Sequence, residues 1–119
     1  MSNRNDDNLV FKALANETRR QVLDVLKTGP HTTSGLAKLF PDLDRTTVMQ
    51  HLRVLERANL VIVERRGRER WNHLNAIPIQ RIHERWIGTY AAHAAEKLSK
   101  LEARLANHPD RNPRENQSH

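Results

Sequence analysis

The sequence predicts a mainly α-helical chain carrying one small β-hairpin. Three observations lead there. Apolar residues recur at helical spacing in several segments separated by Gly, Pro, Asn or Asp. One stretch, "LVIVERRGRERWNHLN" from Leu60 to Asn75, is instead rich in β-branched residues and alternates around a central Gly. A final segment from Pro78 to Ala106 keeps an apolar stripe at Ile79, Ile82, Trp86, Tyr90, Ala94, Leu98, Leu101 and Leu105.

Residues 1–7 are expected to form a flexible N-terminus, with Asp6 or Asp7 capping a short helix that carries Leu9, Val10, Ala13 and Leu14. Asn16, followed by Glu17, restarts a second helix that buries Val22, Leu23, Val25 and Leu26. "TGP", Thr28 to Pro30, ends it, because Gly suits a helix C-terminus and Pro cannot continue one. Thr32 or Thr33 caps a short third helix through Leu36, Ala37, Leu39 and Phe40, which Pro41 stops. Asp44 is the N-cap candidate of a fourth helix running to about Ala58, and Asn59 can take the left-handed conformation that closes it. The hairpin follows. Pro78 suits the first turn of the closing helix, and the domain is expected to span 8–106, ahead of a disordered tail at 107–119 that has no apolar residue besides its prolines.

At 119 residues this is one domain by length, able to bury only about two thirds of its unfolded surface. Its aromatic residues are Phe11, Phe40, Trp71, Trp86 and Tyr90, so a core shared between two chains would help it. Twenty Lys and Arg against 14 Asp and Glu give a net charge of +6, which favours a polyanionic partner. No Cys is present, which excludes disulfides and thiolate chemistry. The N-terminus lacks an apolar export segment, and no run approaches a membrane span, so a soluble, cytoplasmic protein is expected. No nucleophile with a matching base and no Gly-rich phosphate loop emerges, so an enzyme is not expected, nor is a cofactor.

Two short helices joined by a tight turn, then a basic hairpin, make the winged helix-turn-helix order. In "LDRTTVMQHLRVL", Val48, Leu52 and Leu55 form one buried stripe, which turns Arg45, Thr46, Met49, Gln50 and Arg53 outward. Arg pairs bidentately with guanine, Gln with adenine, and Met or a Thr methyl touches thymine. Arg45, Thr46, Met49 and Gln50 are therefore the candidate base readers of double-stranded DNA, with Thr47, His51 and Arg53 as phosphate contacts. In the hairpin, Arg65, Arg66 and Arg68 are placed to reach phosphate or the minor groove, while Glu64 and Glu69 pair with neighbours. Trp71 and His73 read as packing within the wing.

From Phe11 to Asn75 the chain resembles the ArsR-type family of dimeric bacterial transcription regulators. The strings that carry the resemblance are "FKALANETRRQVLDVL", "LAKLF", "TTVMQHLRVLERANLV" and "ERRGRERW". The long closing helix with Trp86 and Tyr90 looks like the branch lacking the cysteine metal-sensing motif. Gly35 stands where the family usually has a polar helix former, and Asn59 where Gly is common. The resemblance implies a sequence-specific DNA-binding regulator, a repressor acting as a homodimer on an inverted-repeat operator. A closing helix of about 43 Å, at a rise of 1.5 Å per residue, would overhang a domain with a radius of gyration of about 13 Å. A second copy is the simplest cover for its stripe. The first and last helices are thus expected to dimerise through Leu9, Val10, Ile79, Ile82, Trp86, Tyr90, Leu98 and Leu101.

Two other readings stay open: a ligand- or metal-responsive sensor of the same fold, and a winged-helix protein-interaction module that does not bind DNA. His83, His93 and Glu96 are the metal candidates. Their spacing is one residue short of the family's zinc-sensing helix pattern, and Arg81 stands where that pattern has an acid, so surface or interface histidines are the favoured reading. No small-molecule effector is identified.

Overall fold

The structure, a computed structural model, describes residues 4–88 and 91–107. In chain order it contains α1 (Arg4–Leu14), α2 (Glu17–Leu26), β1 (His31–Thr32), α3 (Thr33–Leu39), α4 (Arg45–Arg57), β2 (Val61–Arg66), β3 (Glu69–Leu74), α5 (Ile77–Trp86) and α6 (Ala91–Ala106). It is a winged helix-turn-helix. The chain divides into one compact unit through Ile82 and a second from His83 onward. Among the described residues no helix is long and apolar enough to cross a membrane.

Most helix ends of the first unit have a visible chemical cause. α1 begins at Arg4, inside the segment expected to be flexible, and Asp6 and Asp7 sit in its first turn rather than at its cap, where carboxylates favour the helix dipole. Its last carbonyls would be orphaned, and two arginines from α2 satisfy them. Arg19 Nε donates to Ala13 O at 2.8 Å and its Nη2 to Lys12 O at 3.0 Å, while Arg20 Nη1 donates to Leu14 O at 2.6 Å. Asn16 caps α2 by accepting from Arg19 N. Thr32 caps α3 by accepting from Gly35 N at 2.9 Å. A Cβ at position 35 would lie 3.1 Å from that same hydroxyl oxygen, which gives the glycine a local reason.

Asp44 caps α4, accepting from Thr47 N at 2.7 Å. The other end closes as a Schellman turn: Asn59 takes φ 62°, Asn59 N donates to Glu56 O and Leu60 N to Leu55 O, both at 2.9 Å. The left-handed conformation expected of Asn59 is present. It turns the chain directly from the helix into β2.

The sheet order is β1-β3-β2, antiparallel throughout. Arg66 pairs with Glu69 across a two-residue loop whose first residue, Gly67, has φ 61°, the conformation a tight hairpin demands of a glycine there. The two-residue β1 had no signal in the sequence. It pairs His31 with Asn72 and Thr32 with Trp71, and fully buried Asn72 donates from Nδ2 to His31 O and to Thr33 Oγ1. Asn75 fixes the base of the hairpin through Leu60 O and Asn59 O.

The core gathers Val10, Ala13, Val22, Leu23, Leu26, Leu36, Val48, Leu52, Leu55, Ala58, Leu60, Val61 and Ile82. Leu39, the last residue of α3, is exposed. The expected single helix from Pro78 to Ala106 is two helices. α5 ends at Trp86 and Gly88 has φ 38°, a value that interrupts right-handed helical geometry. Tyr90 and the tail from 108 onward lie outside the described residues.

Leu52 is 1% exposed at the centre of this core. Leu52→Ala is expected to lower unfolding stability by about 2–5 kcal/mol in denaturant titration.

Candidate nucleic-acid interface

α4 presents three faces. Val48, Leu52 and Leu55 point into the core. Thr46, Gln50, Arg53 and Arg57, spaced i, i+4, i+7 and i+11, form an exposed row opposite them. Arg45 and Met49 lie between those faces on the side of the wing.

There they border a notch of about 250 Å³, whose other walls are Thr32, Thr33 and Ser34 at the start of α3 and Arg65, Arg68, Glu69 and Arg70 of the wing. Four arginines from two elements therefore surround one opening, with a single acid among its lining residues. The pattern of a helix end and a hairpin converging on a cationic gap suits a phosphate backbone passing between them. The sequence showed Arg45, Met49, Arg65 and Arg68 separately, but not that they share a cleft.

The two faces of the wing differ. Arg66 does not stand free at the tip, as the sequence suggested. Its Nη2 donates to Glu64 Oε1 at 3.0 Å and its guanidinium lies 4.8 Å from the Trp71 ring centroid. His73 Nε2 meets the same Glu64 oxygen at 2.8 Å, and Trp71 Nε1 donates to Glu69 at 3.3 Å. Hydrogen bonds from Arg66 first, then His73, hold the Glu64 carboxyl below its ordinary range, and Glu64 in turn raises Arg66. Trp71 and His73 thus pack within the wing, as expected of them.

His51 also departs from its expected place. Its ring is half-buried against α2, with Nδ1 3.3 Å from Arg19 Nη1, so it faces the helix junction and not the exposed row. Burial first, then the Arg19 charge, push its pKa below the ordinary value. Thr47 is half-buried, and its N–H is taken by Asp44, whose carboxyl that bond holds low. Arg53 remains fully on the outer face. Arg57, Arg70 and Glu56 belong to this region as well. Arg57 was legible as the next residue of the row; Arg70 and Glu56 were not, because their roles depend on strand register.

The profile of a helix-turn-helix domain family matches residues 14–64. The Bacillus subtilis (strain 168) protein described as transcriptional repressor SdpR is 34% identical over 73 residues, covering 61% of this chain and 80% of its own. A solved ArsR family transcriptional regulator is 32% identical with a TM-score of 0.62, covering 86% of this chain and 97% of that one. The chain belongs to the ArsR-type family of winged helix-turn-helix transcriptional regulators. A solved ArsR-like regulator from Rhodococcus sp. RHA1 is also similar, 26% identical with a TM-score of 0.65 over 82% of this chain and 88% of its own. This ArsR-type chain is a DNA-binding transcriptional regulator, and with no Cys it fits the branch without the cysteine metal-sensing motif.

Of the residues expected to dimerise this regulator, Val10 is 2% and Ile82 8% exposed, both inside the first unit's own core. They are corrected to core residues. Ile79 is half-buried against the same core, whereas Leu9, Trp86, Leu98 and Leu101 are exposed. Among the described residues no three His, Asp or Glu side chains are grouped to hold a metal ion, and Glu96 lies 3.6 Å from Lys100.

The His51 shift makes a pH prediction. A histidine with a depressed folded pKa stays neutral in the fold while the unfolded chain takes up the proton, so stability falls as pH drops below about 6.5. The thermal midpoint should decline between pH 7.5 and 5, and His51→Gln should flatten that part of the profile.

Proposed function

We propose that this regulator is a homodimeric repressor that binds an inverted-repeat operator. The observation that carries the reading is the cleft in which Arg45 and Met49 of α4 face Arg65, Arg68 and Arg70 of the wing, beside the exposed row Thr46, Gln50, Arg53 and Arg57. α4 enters a major groove, where Arg45, Thr46, Met49 and Gln50 meet base edges. Thr47, Arg53 and Arg57 meet phosphates. His51 leaves that set because it is engaged with Arg19. In the wing, Arg65 and Arg68 take the backbone contacts, and Arg66 joins them only by exchanging Glu64 for phosphate.

Dimerisation rests on exposed apolar residues: Leu9 on α1, Trp86 on α5, and Leu98, Leu101 and Leu105 on α6. Trp86, 65% exposed, is the largest of them. A second copy covers such surfaces symmetrically. The twofold axis then places two α4 helices in successive major grooves about 34 to 36 Å apart. Repression is supported by the similarity to SdpR, described as a transcriptional repressor. A cytoplasmic location fits a regulator whose partner is DNA.

Selection from a random duplex pool should enrich an imperfect inverted repeat whose binding weakens steeply with salt. Enrichment of nothing would overturn the DNA-reading assignment. Gln50→Ala should relax preference at one base pair per half-site by about 1–3 kcal/mol. Arg68→Ala should instead weaken all sequences about equally, with a shallower salt slope. Light scattering should give twice the chain mass, and Leu98→Glu combined with Leu101→Glu should halve it.

A further inference from the structure

Glu56 is an acid on the helix that carries the DNA-reading face, where a negative charge works against a polyanionic partner. Its position gives it another task. It occupies the last turn of α4, and its Oε1 accepts from Arg70 Nη2 on β3 at 2.8 Å. The Arg70 side chain is only 18% exposed. It stands directly across from Arg65 on β2, so two like charges are neighbours on one hairpin, an arrangement that opposes strand pairing unless a counter-charge relieves it. Arg65 and Arg70 both line the notch, with Arg45 on its opposite side. Glu56–Arg70 is thus a charged link from the end of the reading helix to the inner strand of the wing.

We propose that Glu56 is a positioning residue for DNA binding: it holds Arg70, and through Arg70 the wing, at the distance from α4 that lets Arg65 and Arg68 engage the backbone while Arg45 enters the groove beside it. The proposal rests on the DNA-binding reading above and adds a role for an acid that charge alone would class as unfavourable. The two views predict opposite signs. If Glu56 acts only through its charge, its removal tightens DNA binding. If it positions the wing, its removal weakens binding, and fewer phosphates are neutralised as the wing arginines withdraw.

The experiment compares the full chain with Glu56→Ala, Glu56→Gln and the swapped pair Glu56→Arg with Arg70→Glu. The probe is the duplex that the unaltered chain enriches from a random pool, with affinity measured at several salt concentrations and thermal unfolding followed in parallel. Glu56→Ala should lower affinity about tenfold and reduce the magnitude of the log–log salt slope by about 1–2, the signature of one or two lost phosphate contacts. Glu56→Gln, whose amide oxygen still accepts from Arg70, should fall between, and the swapped pair should recover part of the loss with the steeper slope. Equal or tighter binding by Glu56→Ala overturns the proposal. So does weaker binding at an unchanged slope, because a loss of folded protein lowers affinity without changing the number of phosphates held. If Glu56→Ala does not fold, Glu56→Gln decides by the same two criteria. An unaltered chain that enriches no duplex overturns the DNA-binding reading and this role with it; a binding chain with indifferent variants overturns this role alone.

Discussion

The rest of the molecule depends on α4 keeping one face dry. Val48, Leu52 and Leu55 are each buried to within about 1% of complete, and withdrawing one such side chain from water is worth about 1.5–3 kcal/mol. A rotation by one residue turns the helix through about 100°, enough to trade that apolar stripe for charged groups. No single base contact, itself worth about 1–3 kcal/mol, offsets such a loss. The outward direction of Thr46, Gln50 and Arg53 is therefore a consequence of core packing. What α4 offers to a groove is set before any ligand arrives.

Around that helix the architecture is completed by polar ties between elements far apart in sequence. Arg19 and Arg20 close the open carbonyls of α1 from α2, and Arg19 extends to His51 on α4. Asn72 joins β3 to β1 and to Thr33 at the head of α3. A net intramolecular hydrogen bond adds only about 0.5–1.5 kcal/mol. Leaving a buried partner unpaired costs more, which makes the buried Asn72–Thr33 bond above all a constraint on geometry. Together these ties hold the first unit's helices and the wing in one arrangement around the notch.

The hairpin shows how a charged strand can serve two purposes. Period-two alternation places Glu64, Arg66, Trp71 and His73 together on one face, where they satisfy each other, and Arg65 and Arg70 on the other, beside the notch. Four arginines in "ERRGRER" looked alike as composition. Register separates Arg66, paired within the wing, from Arg65 and Arg70, which turn toward the notch.

Much of this was written in the sequence because its causes are local. Asn16, Asp44, Asn59 and Gly67 each impose a cap or turn through their own backbone and side-chain chemistry, and the 3.6-residue period of α4 reveals its dry face without any partner. The helix-turn-helix order and the hairpin follow from those signals alone. Tertiary structure decided whatever depends on partners distant in the chain. β1 exists because Asn72 waits 41 residues away, His51 turns inward because Arg19 meets it, and Val10 and Ile82 are claimed by the first unit's core before any second chain can reach them. The break after α5 is marked locally by Gly88, while the regular apolar stripe predicts one helix, since periodicity reports which face is greasy and not whether the backbone between two turns stays helical. The reading helix was thus determined by local chemistry, and the cleft it shares with the wing by long-range packing.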